Sequence, residues 1–383
     1  MKYKKIVFLF VFTSIISGLV FFSIIFYYDP LKIFHKPWMY KEYLHQNMRS
    51  QAAGIINNWE YDSVILGTSM LENTSSKEAS FLLGGKFINI SLSGSDFYER
   101  YIVLRYVLGK KNIKQVIYSL DDEGLIEGRK SDPFYKIEQW DYLYDRNPFN
   151  DFKVYMSSGF LKCLLSTSSK KKCMGHRANF DRPNAWYWAR KDKYGGLDNW
   201  FKQKLTPRII KHFQPILDAI KNIQIGKSKT NSNFTKDMEI LKHYLDINLI
   251  SLVKKYPMTD FLCILPPYSR AKYALDAQYN KQDFKKYIGS IKYLVQVSAL
   301  YDNLKIYGWG NEIFLDDIVN YKDLKHYEYR FNSWMLKEIN KEEGLLNIDI
   351  IDDYLTEFKD QSLEYNLTIL GNKIENYLDA GKK

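Results

Sequence analysis

The sequence predicts an α/β protein with a mainly parallel sheet covered by helices, carried on an N-terminal membrane helix and interrupted by a large insertion. From about residue 59, short apolar runs alternate with segments of helical length, a charge-free run occupies residues 6–28, and the alternation lapses over residues 124–235. These features divide the chain into a tail and anchor (1–28), a juxtamembrane segment (29–58), a first core part (59–123), an aromatic-rich insertion (124–235) and a second core part with a C-terminal extension (236–383).

The chain has 383 residues, enough for an anchor, one sizeable domain and an insertion. With 46% hydrophobic and 16% aromatic residues it lacks the composition of a disordered protein. The 55 Lys and Arg against 44 Asp and Glu leave a formal charge of +11, which favours anionic partners such as phospholipid headgroups or acidic glycans. The densest basic run, 170–172, has no accompanying aromatic-basic motif, so nucleic acid is not an expected partner.

Residues 6–28 contain no charge and follow Lys2, Lys4 and Lys5. At about 1.5 Å per residue they make roughly 35 Å of helix, enough to cross a bilayer. A cleaved signal peptide usually has an apolar stretch of about 7 to 15 residues and a small-x-small site. Here the run ends in Phe26, Tyr27 and Tyr28, which suit a membrane interface, and an uncleaved anchor is expected. Lys32, Lys36 and Lys41 nearly balance the lysines before the helix, but the short acid-free tail places the amino terminus in the cytoplasm and the remaining mass outside.

Residues 63–66 read as a first strand, followed by Gly67-Thr68-Ser69 and a polar helix-compatible stretch ending at Gly84-Gly85. Residues 87–90 form a second strand leading into Ser93-Gly94, and Phe97, Tyr101, Leu104 and Leu108 mark an amphipathic helix capped by Ser95 or Asp96. Residues 116–120 make a third strand. After the insertion come a leucine-striped helix from Leu241 to Tyr256, strands over 261–265 and 304–307, a helix over 281–300 and a last one over 324–339. Cys163 and Cys173 can close a disulfide loop in an oxidising compartment, whereas Cys263 reads as a buried small hydrophobe. Cys173 and His176 alone are too few for a zinc site, so no metal is expected.

In open parallel sheets, ligands bind beyond the carboxyl ends of the strands. The residues there are Gly67-Thr68-Ser69, Ser93-Gly94, Ser119 to Asp122, Pro267-Tyr268-Ser269 and Trp309. Ser69 falls in a tight turn that places a hydroxyl near a helix N-terminus, although a serine there also suits a helix cap. Far along the chain, Asp323-Leu324-Lys325-His326 has the spacing that sets a carboxylate and an imidazole on one side of a first helical turn. Such an Asp can hold Nδ1–H and leave Nε2 free to take a serine proton.

The Gly-x-Ser block after the first strand, the Gly after the second and the Asp-x-x-His block together resemble SGNH (GDSL-like) hydrolases, over residues 59–123 and 236–340. The resemblance implies a three-layer α/β/α, flavodoxin-like core. It also implies a catalytic triad of Ser69, Asp323 and His326, with the Gly94 N–H in an oxyanion hole. Two departures stand out: Thr68 where Asp is common, and Asp121 and Asp122 where the family supplies an Asn. An ionised carboxylate donates no hydrogen bond, leaving the N–H groups of Ser69 and Gly94, aided by Tyr268 or Ser269. The membrane-bound branch acts on cell-surface polymers at the inner membrane of bacteria. The resemblance therefore implies an extracytoplasmic esterase or O-acyltransferase that handles acyl groups, above all acetyl, on a surface glycan. A membrane acyl-donor protein is an expected partner, no cofactor is implied, and a non-catalytic scaffold of the same fold is the alternative.

Overall fold

An apolar run bounded by polar turns is what a strand buried on both faces requires. In a computed structural model, which describes residues 2–38, 40–45, 47–128, 137–175, 179–201, 207–224 and 233–380, such runs become β1 (Ser63–Leu66), β2 (Phe87–Asn89), β3 (Gln115–Ser119), β4 (Asp260–Ile264) and β5 (Leu304–Tyr307). A strand that the sequence did not announce, β6 (Leu345–Leu346), completes a six-stranded sheet in the order β2-β1-β3-β4-β5-β6. The first five strands are parallel, and β6 is antiparallel to β5.

The winding reverses at β1: the chain first adds β2 on one side and then crosses back to add β3 on the other. The carboxyl ends of β1 and β3 flank this switch point, where doubly wound sheets open a crevice. Asp96 caps the helix Phe97–Lys110, its side chain accepting the Glu99 N–H at 2.8 Å. The leucine stripe after residue 240 lies on the helix Phe234–Leu245, a π-helical turn Asp246–Ile250 and the helix Ser251–Lys255, with Leu241, Leu245, Leu249 and Leu252 buried.

The chain separates into two units, one of residues 1–60 and 136–184, the other of 61–135 and 185–383. Residues 124–235 are thus shared between them. The second unit holds the whole sheet. The first contains no strand among its described residues and is built on the helices Lys2–Tyr28, Met48–Asn58 and Ser158–Ser166 with short 3₁₀ turns between Ile137 and Met156. Its centre is Asp29, fully buried, whose carboxylate accepts the N–H groups of Ile33 at 2.9 Å, Phe34 at 2.8 Å and His35 at 3.0 Å and the Tyr155 hydroxyl. Cys163 and Cys173 are joined by a disulfide, and Cys263 is free and buried in β4. His176 lies outside the described residues.

One expected helix starts later than its sequence pattern suggests. The stretch from residue 324 is a loop, closed by a bridge between Tyr321 and Tyr327, and the helix runs only over Arg330–Asn340. The physical reason is local: Asp323 Oδ1 accepts the N–H groups of Lys325 at 3.0 Å and His326 at 2.9 Å, an Asx-type turn that competes with helical hydrogen bonding.

Candidate active site

Ser69 sits in the turns that follow β1, and the next helix, Ser76–Leu83, begins well beyond it with Ser75 as its cap. Ser69 is therefore neither a helix cap nor beside a helix N-terminus, contrary to the sequence expectation, because residues 69–74 close into successive turns through Leu71 N to Thr68 O at 3.1 Å and Thr74 N to Leu71 O at 2.9 Å. Its Oγ lies 2.9 Å from His326 Nε2. Asp323 Oδ1 and Oδ2 each lie 2.9 Å from His326 Nδ1. The structure thus brings the three distant residues into one chain of hydrogen bonds, on the Asx turn rather than on a helical turn. A carboxylate on Nδ1 keeps the proton there and leaves Nε2 to accept the Ser69 hydroxyl.

The serine turn has little freedom. A Cβ on Gly67 would stand 2.5 Å from Ser119 Oγ and 2.7 Å from Leu71 Cγ, so only glycine fits. Behind it, Asp121 accepts the Thr68 hydroxyl and the Ser119 hydroxyl, each at 2.6 Å, and lies 3.2 Å from Arg100 Nη1. Arg100 is fully buried, with its guanidinium carbon 4.6 Å from the ring centres of both Phe97 and Tyr118. Thr68 and Asp121 are therefore parts of a buried clamp and their polar groups serve each other.

Gly94 adopts φ +64° in the turn closed by Ser95 N to Leu92 O at 3.1 Å. That loop is tied to the serine turn by Leu92 N to Gly67 O at 2.7 Å and Gly67 N to Ser91 Oγ at 3.1 Å. Neither Ser69 N–H nor Gly94 N–H has a hydrogen-bond partner among the described residues. The other two expected donors are committed elsewhere: Ser269, with no exposed surface, gives its hydroxyl to Leu324 O at 2.7 Å, and Tyr268 is buried with its hydroxyl 3.4 Å from Asp121 Oδ1. Both lie behind the site because the chain after β4 turns into the helix Arg270–Gln278, which Ser269 caps. Trp309 is likewise buried, against Tyr307 and Trp334.

Besides the Ser269 hydrogen bonds to Leu324 O, the loop carrying Asp323 and His326 is fastened by charge. Lys325 Nζ lies 2.9 Å from Asp122 Oδ1 and 3.1 Å from Glu123 Oε1, and Lys272 holds the other Asp122 oxygen at 2.9 Å. Burial works against charge on Asp122, yet the two ammonium groups hold its carboxyl well below the usual carboxylate range. Asp323 behaves alike: burial opposes its charge, but His326, the hydrogen bonds it accepts and Lys322 at 2.8 Å keep its carboxyl well below that range.

Sequence reasoning did not foresee Trp186 and Lys322 at the site. Trp186 donates Nε1–H to Ser69 O at 2.9 Å and meets the His326 ring edge to face at 5.2 Å. The Trp186 and Tyr187 N–H groups both reach Asn73 Oδ1 at 3.1 Å. Lys322 Nζ stands 4.7 Å over the Trp186 ring. Tyr187, Trp188 and Tyr329 continue the aromatic surface, with ring centres 4.5 Å apart for Tyr187 and Tyr329 and 5.5 Å for Trp188 and Tyr329, and Trp188 is 51% exposed. The run Trp186-Tyr187-Trp188 was the available signal, but which aromatic faces histidine is a tertiary fact. No cluster of three or more His, Cys, Asp or Glu arranged for a metal occurs among the described residues. No protein-family model matches the chain, and no curated protein is significantly similar to it.

Proposed function

We propose that this chain is a serine esterase or O-acyltransferase of the SGNH-like, three-layer α/β/α kind, anchored in a bacterial inner membrane with its catalytic part outside the cytoplasm. The observation that carries the reading is the continuous relay from Ser69 Oγ to His326 Nε2 and from His326 Nδ1 to Asp323, every link at 2.9 Å. In the proposed reaction His326 takes the hydroxyl proton as Ser69 Oγ attacks an ester carbonyl. The N–H groups of Ser69 and Gly94 receive the developing oxyanion, and collapse expels the alcohol, which takes its proton from His326. Water or a sugar hydroxyl then releases the acyl group, giving an esterase or a transferase.

An acylated, above all acetylated, surface glycan is the proposed substrate. The aromatic surface of Trp186, Tyr187, Trp188 and Tyr329 next to His326 suits sugar rings, and Lys322 suits anionic ones. Extracytoplasmic placement is supported by the Cys163–Cys173 disulfide, a bond of oxidising compartments. Anchoring is supported by the helix Tyr3–Tyr28, which contains an 18-residue stretch of mean hydropathy 2.5 that is 6% buried. A non-catalytic scaffold is favoured by one observation, the clamped Asp121 in place of an oxyanion-donating Asn.

The test is acetate release from an acetylated polysaccharide, or acetyl transfer onto a deacetylated one, by the full chain in detergent. Turnover lost in Ser69→Ala is the expected result. Turnover equal in the two proteins, or absent from both with water and sugar as acceptors, supports the scaffold.

A further inference from the structure

The first unit carries apolar surface that the relay does not use. Phe149 is 86% exposed and Leu165 is 80% exposed, the latter on the helix Ser158–Ser166, whose Phe160, Cys163 and Leu164 are buried on its other side. That helix packs against the N-terminal helix, and the Tyr28 hydroxyl donates to Ser168 O. Phe152 meets Phe22 edge to face with ring centres 4.9 Å apart.

The depth of that contact is informative. From Ile6 to Phe22 the helix rises only about 24 Å, less than the roughly 30 Å of a hydrocarbon core. A spanning helix, upright or tilted, therefore keeps Phe22 within the apolar slab, and Phe152 with it. Ile25 and Tyr28, at the end of the charge-free run, are 1% and 6% exposed, covered by this same unit. Between residues 146 and 172 the chain has six basic residues, Arg146, Lys153, Lys162 and the 170–172 run, against the single acid Asp151. Asp151 is buried while all six bases are exposed. Trp38, 60% exposed, packs beside Phe26 and Tyr27 at the helix end, where interface aromatics belong.

We infer that residues 146–172 form a lipid-binding surface lying in the outer membrane–water interface, with Phe149 and Leu165 among the acyl chains and the surrounding lysines on anionic headgroups. Apolar side chains inserted at the boundary together with basic residues at headgroup level are the combination that holds interfacial segments on anionic bilayers. The inference rests on the anchor reading above and is independent of the triad.

The experiment uses the full chain in vesicles of phosphatidylethanolamine and phosphatidylglycerol, with a nitroxide on Phe149→Cys or Leu165→Cys. Both positions are exposed, while Cys263 is buried and the other two cysteines are bonded to each other, so the new thiol is the one that reacts. At both positions the collision ratio shifts toward oxygen, which concentrates among acyl chains, and away from a water-soluble nickel chelate. A chain retained through an alkaline wash whose two nitroxides collide preferentially with the nickel chelate overturns the surface alone. Loss of the chain in that wash, or an intact mass lacking residues 1–28 in the protein isolated from cells, overturns the anchor and the surface together.

Discussion

The turn carrying Ser69 and the loop carrying Asp323 and His326 meet at one hydrogen bond, but they are held differently. The serine turn is fixed from inside: Gly67 admits no side chain, and Asp121 ties Thr68 and Ser119 to Arg100, with side-chain exposures of 9% for Asp121 and none for Arg100. The histidine loop has no regular structure around residues 322–326; it is held by Ser269, whose N–H and hydroxyl both donate to Leu324 O, and by Lys325, 27% exposed, on Asp122. Buried pairs are screened little by solvent and salt, whereas half-exposed ones are screened more. The nucleophile is therefore set by packing and the base in part by an electrostatic tether, and substitutions on the two sides should fail in different ways.

The largest effect falls where the two sides join. Asp323→Asn keeps the shape but lets the amide donate to Nδ1, turning the imidazole to the wrong tautomer, and kcat should fall about 10⁴-fold with the fold intact. Stopped assays on the esterase reaction together with circular dichroism check both halves of that statement. On the packed side, Asp121→Asn leaves the Arg100 guanidinium without its carboxylate and should destabilise the protein by about 3–5 kcal/mol, read from denaturant unfolding. The same change should not create an oxyanion donor, since the position faces Arg100, Thr68 and Ser119.

On the tethered side, Lys325→Met removes the Asp122 and Glu123 contacts while Lys272 still neutralises Asp122. A loosened histidine loop predicts a fall in kcat of about 10-fold to 100-fold with KM little changed, because misplacement acts on the reacting geometry. An unchanged kcat would show that the Ser269 hydrogen bonds to Leu324 O hold the loop without the ion pair. The smallest effect is acid sensitivity. The Asp122 carboxyl is depressed in the folded state, so its contribution to stability is present above the ordinary carboxylate value of about 3.9 and is lost as pH falls below it. Thermal unfolding followed below about pH 4 should show this decline, flattened in Asp122→Asn.

The same contrast explains what the sequence reveals. Strands β1 to β5 are legible because each is a short apolar run bounded by turns, and the spacing of Asp323 and His326 advertises a carboxylate–imidazole pair whatever the backbone does between them. The backbone itself was not legible: an Asx turn and the Tyr321–Tyr327 bridge override a pattern that reads as helix from residue 324. β6 has only two residues, too few for any periodicity. Trp186 reaches His326 through a tertiary contact with no local signature, Lys322 is the sequence neighbour of Asp323 and its ion pair shows no pattern beyond that adjacency, and Ser269 was misread as an oxyanion donor because its partner, Leu324 O, lies 55 positions away. Asp121 looked like a defective oxyanion residue, and only the buried Arg100 beside it reveals a clamp.

Whether Ser69 is a nucleophile activated by His326 is read out by a fluorophosphonate probe followed by peptide mass spectrometry. A phosphonyl adduct is expected on the peptide containing Ser69, absent in Ser69→Ala and strongly reduced in His326→Ala. Folded protein that stays unmodified, or an adduct on another residue that persists in Ser69→Ala, would contradict it.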